Sequence, residues 1–208
     1  MKFNLAAVFA STLALASARA CPQAGGAAPA AIDPKDVNTF RLFALIKDGP
    51  YSQNSSVQAY KGSLGVNFKQ NSTCEDSDTN FITMFIDKDT GNLGVYSDFP
   101  PITAYVDRSG MGMGVLRFST GVAPPLPKNA ERGPWKITDD LTLVYAGANE
   151  DIGLQACSED DGKTFVLWLQ GVTNPASYKY CTPISAQVWP IPDSETAKCS
   201  YNDFGINN

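Results

Sequence analysis

The chain contains no histidine, so its candidates for acid–base catalysis are mainly carboxylates. That absence excludes Ser-His-Asp and Cys-His catalysis, histidine-ligated zinc and histidine general bases. A pair of carboxylates, as in glycoside hydrolysis, needs no histidine. The candidates for such a pair are Asp107, Glu131, Glu150, Asp151 and Asp203. Their spacing singles out no pair, so we interpret them as surface acids and predict that the protein is not an enzyme.

The tripeptide Asp89-Thr90-Gly91 matches the motif of aspartic proteases, which need two such aspartates facing each other. The sequence has one copy, and Lys88 precedes it where the protease motif has an apolar strand. A calcium loop starting at Asp87 fits poorly, because Gly91 falls at position 5 and not at position 6. Asp and Gly are typical turn residues, so this segment is predicted to be an acidic hairpin turn.

Three glycines, Gly110, Gly112 and Gly114, follow one another at every second position. A phosphate-binding loop would need a following Lys-Ser or Lys-Thr and a helix, and neither follows here. The glycines therefore favour a tight turn, and no cofactor or metal is predicted.

The first twenty residues are typical of a secretory signal peptide. Lys2 precedes the apolar run from Leu5 to Ala16, and Ala18-Arg19-Ala20 supplies small residues before a cut. The run is too short to cross a bilayer, which takes ~20 residues. Removing Lys2 and Arg19 leaves fourteen basic against twenty-one acidic residues, a net charge of −7. We therefore expect a secreted acidic protein that binds neither nucleic acid nor membrane.

Five cysteines and two glycosylation motifs agree with export. The disulfide candidates are Cys74, Cys157, Cys181 and Cys199, and three pairings among them are open. Cys21, at the mature N-terminus, would be the odd one, either unpaired or linked to another chain.

The two N-glycosylation motifs begin at Asn54 and Asn71. Both lie in polar stretches that are predicted to be loops, so both asparagines are predicted glycan acceptors.

The elements that must position these residues are short strands. Residues 21–39 are rich in Pro, Ala and Gly and are predicted to be a flexible arm, and residues 40–208 a single β domain. No window carries a long helical stripe. The predicted strands are Phe40–Ile46, Val57–Tyr60, Ser63–Phe68, Asn80–Ile86, Leu93–Tyr96, Ile102–Val106, Val115–Ser119, Trp135–Thr138, Leu141–Tyr145, Leu154–Cys157, Phe165–Leu169 and Ser185–Trp189.

This pattern predicts an all-β, disulfide-stabilised fold, either an antiparallel β-barrel or a β-sandwich. Two similar hairpins, which end in Tyr96 and Tyr145, leave a β-trefoil as the alternative. Trp168 lies in an apolar run and is predicted to be buried. Trp135 and Trp189 adjoin prolines, which allows partial exposure, but core packing is favoured for most of the aromatic residues.

One segment is more specific than any of these tripeptides. Residues 104–114, which include Asp107, Arg108, Ser109, Gly110, Met111 and Gly112, resemble the signature YVDRSGMGQG of fungal cell-wall proteins of the PhiA type. A second segment of that family is similar to residues 118–121, residues 127–133 and Trp135. The positions of four cysteines, Cys74, Cys157, Cys181 and Cys199, also match the family's pattern. The resemblance covers residues 40–201. Met113 stands where the family usually has Gln.

The resemblance implies a secreted protein that associates with wall polysaccharide or other wall components and takes part in phialide and conidium development. Relatives of this type are often allergen-like. It implies no catalytic residues. The alternatives are a secreted module that binds a glycan or a small ligand, of a kind that can be directed at a host, and a carboxylate-dependent enzyme. Within the signature we expect a structural corner or, alternatively, a ligand groove, with Arg108 forking onto a carboxylate such as Glu131.

Overall fold

The computed structural model describes residues 32–47, 53–76, 78–121, 125–159, 162–196 and 198–202. These residues form strands and three short 3-10 turns, at Pro34–Asp36, Pro175–Ser177 and Asp193–Glu195. The strands are β1 (Thr39–Ile46), β2 (Gln53–Tyr60), β3 (Ser63–Val66), β4 (Ser72–Cys74), β5 (Met84–Ile86), β6 (Leu93–Val95), β7 (Ile102–Asp107), β8 (Val115–Thr120), β9 (Ala130–Glu131), β10 (Trp135–Ile137), β11 (Leu143–Ala146), β12 (Asp151–Ile152), β13 (Leu154–Ser158), β14 (Phe165–Leu169), β15 (Tyr180–Ile191) and β16 (Cys199–Tyr201).

Eleven strands form one antiparallel sheet, in the order β13-β15-β1-β2-β3-β14-β8-β7-β6-β5, with β9 paired to β7. Two further pairings, β13 with β14 and β1 with β5, connect the sheet back onto itself. The strands β10-β11-β12 form a second sheet, and β16 and β4 form a third. The predicted all-β antiparallel fold is therefore confirmed.

Alternating burial along β1, β7 and β15 builds part of the core. On β1, Phe40, Leu42, Ala44 and Ile46 are buried, while the residues between them are only partly buried. Side chains alternate between the two faces of a strand, so this pattern places one face of β1 in the core. Such burial removes apolar surface from water and supplies the main force for folding.

The predicted hairpins are both present, but in different sheets. β5 pairs with β6 in the large sheet, and β10 pairs with β11 in the small one. In the first hairpin Asp87 accepts hydrogen bonds from the backbone N–H of Thr90 at 2.8 Å and from its hydroxyl at 2.7 Å. These bonds lower the pKa of Asp87, the side-chain bond from Thr90 most of all. The tripeptide beginning at Asp89 thus belongs to a turn.

Two disulfides cross between paired strands. Cys157 of β13 lies opposite Cys181 of β15 and is bonded to it. Cys74 of β4 lies opposite Cys199 of β16 and is bonded to it, which links positions 125 residues apart. Cys21 lies outside the described residues.

All twelve predicted strands are present, with differences at their ends. The strand predicted over Ser185–Trp189 is longer, because β15 continues through Pro183 and Pro190. Proline fixes φ near −65° and lacks one donor, but the backbone can stay extended around it. Four strands were not predicted from the sequence, and each is two or three residues long: β4, β9, β12 and β16. Val37, within the segment predicted as a flexible arm, is buried.

Candidate functional site

The signature residues form the turn that joins β7 to β8, and we call residues 107–114 the signature turn. Asp107 ends β7, and its backbone carbonyl accepts a hydrogen bond from the N–H of Gly114 at 2.8 Å. Its carboxylate accepts a second bond from the N–H of Ser109 at 2.9 Å. One residue thus fixes both ends of the turn.

Ser109 closes the middle of the turn. Its hydroxyl accepts a hydrogen bond from the N–H of Gly112 at 2.9 Å, and its carbonyl accepts one from the N–H of Met113 at 2.8 Å. Met113 and Gly114 have φ values of +51° and +84°, in the left-handed region that favours glycine. Local side-chain acceptors of this kind stabilise a turn whose backbone has no strand partner.

The glycines of the turn have different reasons to be there. A Cβ at Gly112 would overlap the side chain of Asp107, so only glycine fits beneath that carboxylate. A Cβ at Gly110 would meet no atom within 4 Å. Met111, between them, is 95% exposed. The inner side of the turn is therefore closely packed and the outer side is open.

The predicted fork between Arg108 and Glu131 is wrong. The described residues contain one ion pair, between Lys136 and Asp151 at 2.9 Å. Glu131 instead accepts a hydrogen bond from the hydroxyl of Tyr145 at 2.7 Å. Arg108 is bound through its backbone, whose N–H donates to the carbonyl of Asn129 at 3.1 Å, and its side chain is exposed.

Tyr145 connects the strand beside the turn to the small sheet. Its hydroxyl lies between the carboxylate of Glu131 and the carbonyl of Gly133, at 2.7 Å and 3.1 Å. Burial and then the hydrogen bond to Glu131 raise the pKa of Tyr145 to about 12. Both causes favour the neutral phenol, because a phenolate would be desolvated and would face a carboxylate.

An open cleft of about 740 Å³ lies along the outer side of the signature turn. Arg108, Ser109 and Gly110 line one part of it, and Glu150 and Gln170 belong to the rest of its lining. Among its charged and amide side chains are Arg108, Glu150 and Gln170, which combine with backbone groups. A second carboxylate, Asp151, also lines it. Such a set of donors and acceptors can donate to and accept from a polar ligand. The sequence did not single out Gln170.

The carboxylates at the cleft do not form an acid–base pair. Glu150 and Asp151 are consecutive in the chain and exposed, and Asp151 is held by Lys136. Of the other acids named from the sequence, Asp107 caps the turn and Glu131 binds Tyr145, while Asp203 lies outside the described residues. In the part of the chain that the structure describes, no three His, Cys, Asp or Glu residues converge as a metal site would require.

The two glycosylation motifs are at the surface. Asn54 is exposed but lies within β2, opposite Leu45, so the loop predicted there is wrong. Asn71 is exposed just before β4, and its side-chain carbonyl accepts a hydrogen bond from the amide of Asn202 at 3.2 Å. In both, a side chain at the surface is open to an added glycan.

The three tryptophans differ in exposure. Trp168 is 6% exposed, as predicted, but Trp135 is 2% exposed and its indole N–H donates to the carbonyl of Arg132 at 3.0 Å. Trp189 is 58% exposed on the outer face of β15. The exposure expected beside a proline is therefore correct for Trp189 and wrong for Trp135.

The antiparallel sheets, the two cross-strand disulfides and the internally bonded turn define a disulfide-stabilised, all-β protein. The family of PhiA-like secreted proteins matches residues 40–202, and the chain belongs to it. The cell wall protein phiA of Emericella nidulans is 37% identical over 180 residues, which cover 86% of this chain and 91% of that protein. The protein of the same name from Aspergillus fumigatus is 33% identical over 196 residues, covering 92% and 94%.

A third relative, the cell wall protein phiA of Aspergillus niger, is 34% identical over 180 residues, which cover 84% of this chain and 93% of that protein. No solved structure matches the chain. The family is one of secreted proteins, and the relatives named here are cell wall proteins. The predicted location, secreted and at the cell wall, is therefore confirmed. Within the described residues, no helix has the length and apolar character to span a membrane.

Proposed function

We propose that this chain is a secreted, non-catalytic protein that is held noncovalently in the fungal cell wall and contributes to wall formation during phialide and conidium development. The observation that carries the proposal is the family match over residues 40–202, together with relatives named as cell wall proteins. Wall polysaccharide is the partner that we propose for it.

The chemistry of the cleft supports a role without catalysis. The whole sequence lacks histidine, and the carboxylates of Asp107, Glu131 and Asp151 are engaged in a turn cap, a hydrogen bond from a phenol and an ion pair. A carboxylate hydrolase would instead need two acids facing each other across a ligand.

Processing and modification complete the proposal. We propose that residues 1–20 are removed on export, that residues 40–208 act as one β domain, and that Asn54 and Asn71 carry glycans. Both asparagines are exposed, which supports access by a glycosyltransferase.

Fractionation of the producing cells tests wall retention. Washed walls are extracted first with 1 M salt and then with detergent, and the protein is followed by antibody. We expect most of it in the wall fraction, with release by salt or detergent and without enzymatic digestion of the wall. Recovery only from the medium or from inside the cells would contradict the proposal.

The second candidate function is recognition of a small polar ligand in the cleft beside the signature turn. The side chain of Arg108, which is exposed and forms no ion pair with the described residues, lies at a cleft of about 740 Å³ and favours it. Loss of wall retention in the variant Arg108→Ala, with an unchanged melting temperature, would favour this candidate over a purely structural corner.

A further inference from the structure

A group of aromatic side chains surrounds one arginine on the outer face of β1 and β15. Arg41 of β1 lies opposite Trp189 of β15, so the two side chains leave the sheet on the same face. The guanidinium carbon of Arg41 lies 5.0 Å from the ring centre of Phe43, 5.1 Å from that of Phe81 and 5.6 Å from that of Trp189. We call these four residues the aromatic platform.

The platform holds its cation by aromatic contacts alone. Arg41 makes no hydrogen bond and no ion pair with the described residues, and its buried Nε has no partner. An arginine has five donors, and buried polar groups in proteins are nearly always hydrogen-bonded. Three rings lie within cation–π distance of the guanidinium, and no hydrogen bond from it to a described residue competes with a ligand.

The rings leave one large apolar surface in contact with water. Trp189 is 58% exposed, and its ring meets that of Phe43 edge to face at 5.9 Å between centres. Beside them on the same face, Gln187 donates to the hydroxyls of Thr142 and Ser185, both at 2.8 Å. An exposed aromatic group with a polar border is typical of a binding surface.

The chemistry of a fitting ligand follows from these features. It must present a flat face of C–H groups to Trp189 and oxygen acceptors to Arg41, and a pyranose ring carries both. The acidic net charge of the chain, −5, opposes a polyanion such as nucleic acid. A neutral polysaccharide meets all three conditions.

We propose that the aromatic platform is a binding site for a neutral polysaccharide, with a sugar ring stacked on Trp189 and its hydroxyl oxygens accepting hydrogen bonds from Arg41. This proposal rests on the wall association proposed above and names the surface that produces it. The cleft beside the signature turn takes no part in it.

Tryptophan fluorescence provides a direct test with the mature secreted protein. Trp135 and Trp168 are buried, so a change on adding a sugar reports mainly on Trp189. Laminarin and chitohexaose are titrated separately, and we expect saturable quenching or a blue shift with at least one of them. Trp189→Ala should weaken binding at least 10-fold, Trp189→Phe less, and Arg41→Leu about 10-fold.

Arg108→Ala is the matched control, because it removes an exposed arginine at the other candidate site. It should bind as the wild type does. Equal binding by Trp189→Ala and the wild type, with the same melting temperature, would overturn the proposal. Absence of binding to both sugars by a wild-type protein that still fractionates with the wall would also overturn it, while leaving the proposed function intact.

A glycan attached to the chain itself is a rival occupant of the platform. Asn54 lies opposite Leu45 of β1, and Leu45 is on the same face of β1 as Arg41 and Phe43. The variant Asn54→Gln separates the two cases. Unchanged sugar binding supports the proposal. Sugar binding that occurs only in Asn54→Gln would show that the platform is covered by the attached glycan, and would overturn it.

Discussion

The signature turn and the aromatic platform treat their polar groups in opposite ways. In the turn, Asp107 and Ser109 accept bonds from the backbone of the turn itself, so its polar atoms are largely used within the protein. In the platform, aromatic rings surround the guanidinium of Arg41, and its buried Nε has no acceptor among the described residues. The segment with the recognisable motif is thus explained by folding, and the segment without a motif has capacity left for a ligand.

This difference separates two kinds of signal in a sequence. A residue pattern that recurs in a family can record a backbone geometry, here a turn that only glycine permits beneath Asp107. A binding surface can instead be assembled from strands far apart in the chain, as Arg41 and Trp189 are. Variants of the two regions should therefore differ in whether they change stability or binding.

The largest effect is expected from Gly112→Ala. The added Cβ would displace the Asp107 side chain and its bond to Ser109, which should cost about 3 kcal/mol of unfolding free energy. Urea denaturation measures it. Gly110→Ala is the control, since its Cβ would meet no neighbour, and should change stability by less than about 0.5 kcal/mol. Equal effects of the two would show that the turn is not closely packed.

A smaller loss is expected from Ser109→Ala, which removes the acceptor of the Gly112 N–H. The cost should be about 1 kcal/mol, the usual net contribution of one hydrogen bond. Ser109→Thr keeps the hydroxyl and should recover most of it. Sugar binding should be the same in all three proteins, and a loss of binding in Ser109→Ala would assign recognition to the turn.

Alkaline pH should affect the region beside the turn through Tyr145. Its pKa is about 12 in the folded protein and about 10 in an unfolded chain. Between these values the unfolded chain has released the phenol proton and the fold retains it, so stability falls as pH rises. Tyr145→Phe should show a shallower decline between pH 10 and 12 in urea denaturation. Identical slopes would contradict the raised pKa.

The smallest stability effect is expected from Trp189→Ala. Because the side chain is 58% exposed, its removal should change the unfolding free energy by no more than about 1 kcal/mol. A larger loss, seen in thermal unfolding, would mean that Trp189 is needed to hold the sheet and would weaken its role as a binding residue.

Much of the fold could be predicted from the sequence because its signals are local. The short apolar run at Phe40–Ile46 and the turn residues around Asp87 are patterns within one segment, and the strand and the turn were both predicted correctly. The pairing of β13 with β15, and hence the disulfide between Cys157 and Cys181, depends on contacts between distant segments. Short strands such as β4 are defined by their partners and have almost no pattern of their own.

The candidate site could be predicted only in part for the same reason. The signature turn was found because its residues are consecutive. The partner predicted for Arg108 was wrong, because Glu131 accepts a hydrogen bond from the hydroxyl of Tyr145, which lies on another strand. Alternation along β1 placed Arg41 and Phe43 on one face, while the approach of Phe81 and Trp189 depended on register and loop course.

Wall retention of three proteins, measured side by side, tests the contrast between the two regions most directly. Wild type, Arg108→Ala and Trp189→Ala are expressed in the producing fungus, and the ratio of wall-bound to secreted protein is determined for each. We expect equal ratios for wild type and Arg108→Ala, and at least a fivefold lower ratio for Trp189→Ala. A lower ratio for Arg108→Ala with full retention of Trp189→Ala would contradict this and transfer recognition to the signature turn.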